Sequence, residues 1–328
     1  MFKIKALAAL LAFTVSTFAA SRTSPPAGAL VVGPGFYSTV QAAVNALKST
    51  SQEQIIFINP GTYNEQVTIN KLAGPLTIYG YTQNTASYAS NTVTIAASHS
   101  LLDEATDDAT GTLRVETTNF KLYNVNVVNS HGSGSQALAV SANAGNQGYY
   151  ACSFKGFQDT LLAETGAQLY SRCYIEGATD FIFGQQATAW FEKCTIGVLP
   201  ASIGYITASG RTSNSASYYV FNGATIGAAP GKSVTSGVYY LGRPWGDYAR
   251  VAYQSCSMSN VINGAGWHIW NTGDERTDHV SFGEYSNSGA GASGIRASFA
   301  TKLSSALTIG SILGSSYASQ YYVDTSYL

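Results

Sequence analysis

Cys152, Cys173 and Cys194 follow one another at intervals of 21 residues, and Asp159 and Asp180 keep the same interval. A repeat of this length is too long for a helical or hairpin unit and too short for a domain. It fits one coil of a solenoid. If each coil adds a strand to a parallel stack, equivalent side chains of neighbouring coils stand one strand spacing apart, about 4.8 Å. The chain is therefore expected to place two carboxylates side by side.

The surrounding residues extend the repeat. Cys152-Ser-Phe154 aligns with Cys173-Tyr-Ile175 and Cys194-Thr-Ile196, and Gly156 aligns with Gly177. Upstream, the β-prone runs Ile55–Ile58, Leu76–Tyr79 and Thr92–Ile95 are separated by Gly and Asn, and Phe120–Val128 reads as a further strand-rich stretch. No linker or shift of composition divides the region. The expected fold is all-β: a single right-handed parallel β-helix over residues 20–328. Stacked coils pair every strand above and below, so only the two ends need covers. A short N-terminal helix over Ser38–Lys48, with Ser38 as its cap and Val40, Ala43, Val44 and Leu47 as its apolar stripe, would cover one end. The region Thr301–Leu313 is a candidate cover for the other.

Residues 1–19 read as a secretory signal peptide. Lys3 and Lys5 precede an apolar run from Ala6 to Phe13, and Thr17 and Ala19 suit cleavage after Ala19. The run is too short for a membrane anchor, which needs about 20 apolar residues. The mature protein is thus expected to be secreted and extracellular, with no membrane partner. Losing Lys3 and Lys5 leaves 15 cations against 18 anions, a net −3. That balance excludes a nucleic-acid partner, which calls for a basic patch. Four cysteines are too few for a disulfide scaffold. The in-step three read as an inward-facing ladder of small apolar side chains in preference to a disulfide, with Cys256 a distant alternative partner. No Asn-x-Ser/Thr sequon occurs, so N-glycosylation is not expected.

An aspartate in a β protein is ordinarily a turn residue. Asp159 and Asp180 instead precede bulky apolar residues, Thr160-Leu161 and Phe181-Ile182, and so read as outward-facing strand residues. Two carboxyl groups about 5 Å apart cannot both ionise freely, and the pair holds one proton over a useful pH range. Such a pair serves a retaining glycosidase. It also serves acyl transfer, in which one carboxylate attacks a carbonyl and the other protonates the leaving alcohol. Acyl transfer builds an oxyanion that requires hydrogen-bond donors. Gln158 adjoins Asp159, and Gln136 lies 22 residues, about one coil, before Gln158. Their amides favour the acyl-transfer reading.

Other motifs carry less. Gly227–Ser233 falls one residue short of a phosphate loop. His99, His131, His268 and His279 show no metal-ligand spacing. Glu104, Asp107 and Asp108 read as a solvated acidic loop rather than a calcium site. There is no Gly-x-Ser-x-Gly elbow. Neither metal nor cofactor is expected.

The chain resembles the pectin methylesterases, and a secreted fungal member in particular. Gly61-Thr-Tyr63-Asn-Glu65, Gln136-Ala137, Gly156–Leu161, Asp180–Gly184, Ile206–Arg211, Leu241-Gly-Arg-Pro-Trp245, Gly266–Trp270 and Gly283-Glu-Tyr285 match that family's motifs in order. The likeness runs from about residue 30 to the end. One departure is Leu138-Ala139-Val140, which permutes the family's small and apolar order and is expected to bear on packing. The resemblance implies removal of methyl groups from the C6 esters of methylated homogalacturonan. It makes Asp180 the nucleophile, Asp159 the general acid and base, Gln136 and Gln158 the oxyanion donors, and Arg243 the residue orienting Asp180. Gln136, Arg243, Trp245 and Trp267 would contact the polysaccharide, while Trp190 and Trp270 are expected in the core. A monomer is expected.

Overall fold

The structure is a computed structural model and describes residues 20–328; the signal-peptide reading lies outside these residues. Among the described residues the strands form three parallel sheets of eleven, eight and seven strands. Successive coils contribute one strand to each sheet in turn, giving the expected right-handed parallel β-helix. The 21-residue step appears directly in the pairing: Phe154 pairs with Ile175 and Ile175 with Ile196, while Leu161 pairs with Ile182.

The expected runs become the strands Gln54–Ile58, Leu76–Gly80 and Val93–Ala97. The stretch Phe120–Val128 is not one strand. It breaks into Phe120–Tyr123 and Asn126–Asn129, on two different sheets, around Asn124 at φ 54°. This left-handed corner recurs at Ala151, Arg172, Lys193 and Ser255. The residue after each corner turns inward, so Val125, Cys152, Cys173, Cys194 and Cys256 line the core. All four cysteines are free and buried. The Cys173 thiol donates to Tyr149 O at 3.3 Å, one coil earlier. Beside this ladder Tyr170, Phe191, Phe221 and Tyr253 stack at ring separations of 4.3–4.7 Å.

The N-terminal helix is shorter than expected, Val40–Asn45, and its cap is Thr39 rather than Ser38. Thr39 Oγ1 accepts from Ala42 N at 3.0 Å. Glu65 reaches over from the next coil and accepts from Val40 N and Gln41 N at 2.7 and 2.9 Å, satisfying two more free donors of the first turn. Val40, Ala43 and Val44 close the N-terminal end of the core.

The C-terminal region departs from expectation. Only Ala300–Lys302 continues a sheet. The helix Ile309–Leu313 and the following tail lie along the flank of the eleven-stranded sheet instead of covering the end. Leu313, Tyr322 and Tyr327 pack there on Tyr123, Tyr150, Leu169 and Trp190. Tyr150 Oη donates to Tyr322 O, and Ser171 Oγ to Tyr327 O at 2.8 Å. The outward face of that sheet is rich in aromatic residues, so burying it under the tail removes a large apolar area from water. Trp190 lies in this layer, buried as expected. Among the described residues no helix is long and apolar enough to cross a membrane.

Candidate active site

Asp159 and Asp180 stand at a second set of corners, immediately before the seven-stranded sheet. They are not strand residues. Both have left-handed backbone, φ 62° and 49°, a conformation aspartate tolerates better than most residues. The bulky residues that follow fill the core from the far side of the corner: Phe181 and Ile182 are fully buried. Tucking the corner this tightly requires glycine three residues before each aspartate. A β-carbon on Gly177 would lie 2.3 Å from Phe181 Cβ, and one on Gly156 would lie 2.7 Å from Thr160 Oγ1.

The two corners are in register. Gln158 bridges to Thr179, and Asp159 N donates to Thr179 O at 3.1 Å, so the aspartates occupy equivalent places one strand spacing apart. Each is 7 % exposed. Ala137 N donates to Gln158 O at 3.2 Å, setting Gln136 beside Gln158 on the preceding coil. Neither glutamine amide engages another side chain or carbonyl among the described residues, which leaves both free to donate.

Arg243 distinguishes the two carboxyls. Its Nε donates to Asp180 Oδ1 at 2.9 Å and its Nη2 to Oδ2 at 2.6 Å, a two-pronged grip. The guanidinium lies between two rings, 4.1 Å from the Tyr205 centroid and 4.2 Å from that of Trp270. Among the described residues Asp159 has no cation within salt-bridge distance. Burial, with the Asp180 charge and more distantly Asp107, holds the Asp159 carboxyl well above its ordinary value, against a smaller opposing pull from Arg243. Burial also raises Asp180, and Arg243 offsets only part of that rise. A guanidinium in this position would by itself lower the Asp180 carboxyl outright. Desolvation at a nearly sealed corner prevents this, but the order survives: Asp159 keeps a proton when Asp180 has lost its own.

An outward-facing apolar strip, formed by Leu138, Leu162, Phe183 and Ala208, adjoins the pair, and half-buried Trp245 packs on it. Phe183 and Trp245 are 6.1 Å apart between ring centres. Trp267, expected in the same cleft, is not there. It is 1 % exposed, stacks on Phe282 at 4.3 Å, and donates its indole N–H to Glu284 at 3.1 Å. Its neighbour Trp270, expected in the core, instead covers Arg243. Tyr205 and Phe183 were also missed. Phe183 sits in the Asp180 motif and could have been read from it. Tyr205 falls on the next coil, where a longer connection breaks the 21-residue step.

The acidic loop is largely paired. Asp108 bonds Arg114 and accepts from Ser141 Oγ at 2.6 Å. His99 Nδ1 lies 3.2 Å from Asp103 and 3.1 Å from Glu104. Gly227 belongs to the strand Thr225–Ala228, not to a phosphate loop.

The family model described as Pectinesterase matches residues 30–305. The chain is 52% identical over 332 residues to a pectinesterase of Aspergillus aculeatus, covering 99% of each. The solved pectin methylesterase of Aspergillus niger superposes with a TM-score of 0.88 at 41% identity, covering 94% of this chain and all of that one. The carrot pectin methylesterase superposes with a TM-score of 0.82 at 30% identity, covering 93% and 99%. Built on that fold, with paired corner carboxylates and one of them gripped by an arginine, the chain belongs to the pectinesterase family.

Proposed function

We propose that the Asp159–Asp180 corner demethylates the C6 esters of methylated homogalacturonan by acyl transfer through Asp180. The Asp180 carboxylate attacks the ester carbonyl, and the electron pair moves onto the carbonyl oxygen. The free amides of Gln136 and Gln158 donate to that oxyanion. As the intermediate collapses, the C–O bond to the methoxy group breaks and Asp159 gives up its proton, releasing methanol. Asp159, now a carboxylate, takes a proton from a water that attacks the acyl-enzyme. Asp180 departs as carboxylate and the galacturonate acid is freed. Arg243 keeps Asp180 ionised and aimed throughout. Trp245 and Phe183 offer a face for the pyranose ring.

One observation carries this reading: of two equivalent buried carboxyls, Arg243 grips only Asp180. One group thereby serves as nucleophile and the other as acid. The protein acts on the polysaccharide as a secreted, extracellular monomer without metal or cofactor. The test is a product assay with purified protein and highly methylated pectin. Methanol should appear with no new chain ends. New reducing or unsaturated ends without methanol would mean a hydrolase or a lyase.

A further inference from the structure

Asn129 stands where the next two coils have glycine. Val128 pairs with Lys155 and Lys155 with Glu176, so the residues that follow, Asn129, Gly156 and Gly177, are equivalent. From that position to the seven-stranded sheet the later coils need only four residues, 157–160 and 178–181. The coil of Gln136 uses ten, 130–139, among them Gly132 and Gly134 at φ 85° and 113°. The short connection carries Gln158, whose backbone is bridged to Thr179. The long one carries Gln136, and a longer loop is freer to move unless something ties it down.

The Asn129 side chain supplies the tie, and it is buried. Its Oδ1 accepts from His131 N at 3.1 Å, at the start of the loop, and its Nδ2 donates to Leu138 O at 3.0 Å, at the end. Nδ2 also reaches Thr110 O at 3.2 Å and His99 O at 2.8 Å. Both of these contacts lead back to the same loop. Thr110 Oγ1 accepts from Leu138 N at 3.0 Å. Leu101, two residues after His99, donates its N–H to Gln136 O at 3.1 Å.

One buried amide thus closes the loop on itself and fixes the neighbouring segment that holds Gln136 by its carbonyl. Any buried amide satisfies polar groups around it. What singles out Asn129 is that the groups it satisfies bracket an oxyanion donor, His131 on one side and Leu138 on the other. Gly156 and Gly177 have no side chain to do this, and their short connections do not require it.

We propose that Asn129 is a positioning residue for the ester hydrolysis: its side chain clamps the loop from His131 to Leu138 and so holds the Gln136 amide where the carbonyl oxygen turns negative. The proposal rests on the reading of Gln136 as an oxyanion donor. Asn129 touches no reacting atom and acts through Gln136. Its loss therefore slows the chemical step and leaves affinity for the polymer nearly unchanged.

The test is a double-mutant comparison of methanol release from highly methylated pectin, at a temperature well below every variant's melting midpoint. Gln136→Ala should lower kcat about 10²-fold. Asn129→Ala should lower kcat about tenfold with KM within about twofold of wild type. Asn129→Ser, which keeps one donor, should lose less. In the Gln136→Ala background, Asn129→Ala should cost no more than about a further twofold, because the side chain it positions is gone. Should Asn129→Ala not fold, Asn129→Ser carries the same comparison. A loss of kcat that persists in full in the Gln136→Ala background, a rise in KM without a fall in kcat, or a folded Asn129→Ala with wild-type kcat would overturn the proposal. Wild-type kcat in Gln136→Ala would overturn the oxyanion reading itself, and the proposal with it.

Discussion

Each coil of the central region turns through two left-handed corners, and the two have opposite characters. At the cysteine corners, the residue with positive φ is Ala151, Arg172 or Lys193, and the residue after it enters the core. The corner side chain points away from the core, where Arg172 Nε donates to Tyr327 O at 3.1 Å, and the inward ladder does the packing. At the aspartate corners, the residue with positive φ is itself the buried, ionisable one, 7 % exposed. The same step and similar backbone thus produce an inert ladder on one edge and a reactive one on the other. What differs is where the chain spends stability. The cysteine corner is satisfied internally, with every thiol donating to a carbonyl. The aspartate corner leaves one carboxyl without a cation and two glutamine amides without acceptors. Sites that accept such costs are frequently sites of chemistry.

The largest effect is expected from Asp180→Asn. The amide is nearly isosteric but a poor nucleophile, so methanol release should fall by about 10³-fold or more, with the fold intact by circular dichroism. Arg243→Lys should come next. Lysine keeps the charge but loses the two-pronged grip, and misplacement of the nucleophile should lower kcat by about 10²-fold. With Asp180 held less firmly ionised, the acid limb of the pH–rate profile should move to higher pH. An unmoved limb would disconnect Arg243 from Asp180.

Asp159→Asn separates the corners by stability. The folded protein holds the Asp159 proton more tightly than the unfolded chain does. Stability is therefore lost as pH rises from the ordinary carboxyl value through the raised one. Replacing the titrating group should stabilise the protein at neutral pH by about 1 kcal/mol, although activity falls. The gain should vanish below about pH 4. Thermal melts across pH will show whether it does. The smallest effect on activity is expected from Cys173→Ala, which deletes a packed thiol at the inert corner. Stability should fall by about 1 kcal/mol with kcat unchanged.

Much of this division was legible in the sequence, because the interval of 21 is itself the parallel register. It put Asp159 beside Asp180 and lined up the cysteines. It did not reveal the backbone of the aspartate corners. The bulky residues after each aspartate suggested a strand, whereas they fill the core once the corner has turned. Tyr205 was hidden because the connection before it is longer and the interval is lost. Trp267 and Trp270 were exchanged because they lie three residues apart in an irregular segment, where no strand alternation says which ring faces inward. The C-terminal segment was read as an end cover, yet its partner is the aromatic outer face of the eleven-stranded sheet. That face is assembled from residues one coil apart, and no local pattern announces it.

The central claim is that the proton of the pair belongs to Asp159 while Asp180 is charged. Infrared difference spectra at mildly acidic pH, comparing wild type with Asp159→Asn and Asp180→Asn, read this directly through the carbonyl stretch of a protonated carboxyl. The account predicts that this band is lost in Asp159→Asn and retained in Asp180→Asn. Loss of the band in Asp180→Asn, with retention in Asp159→Asn, would contradict it.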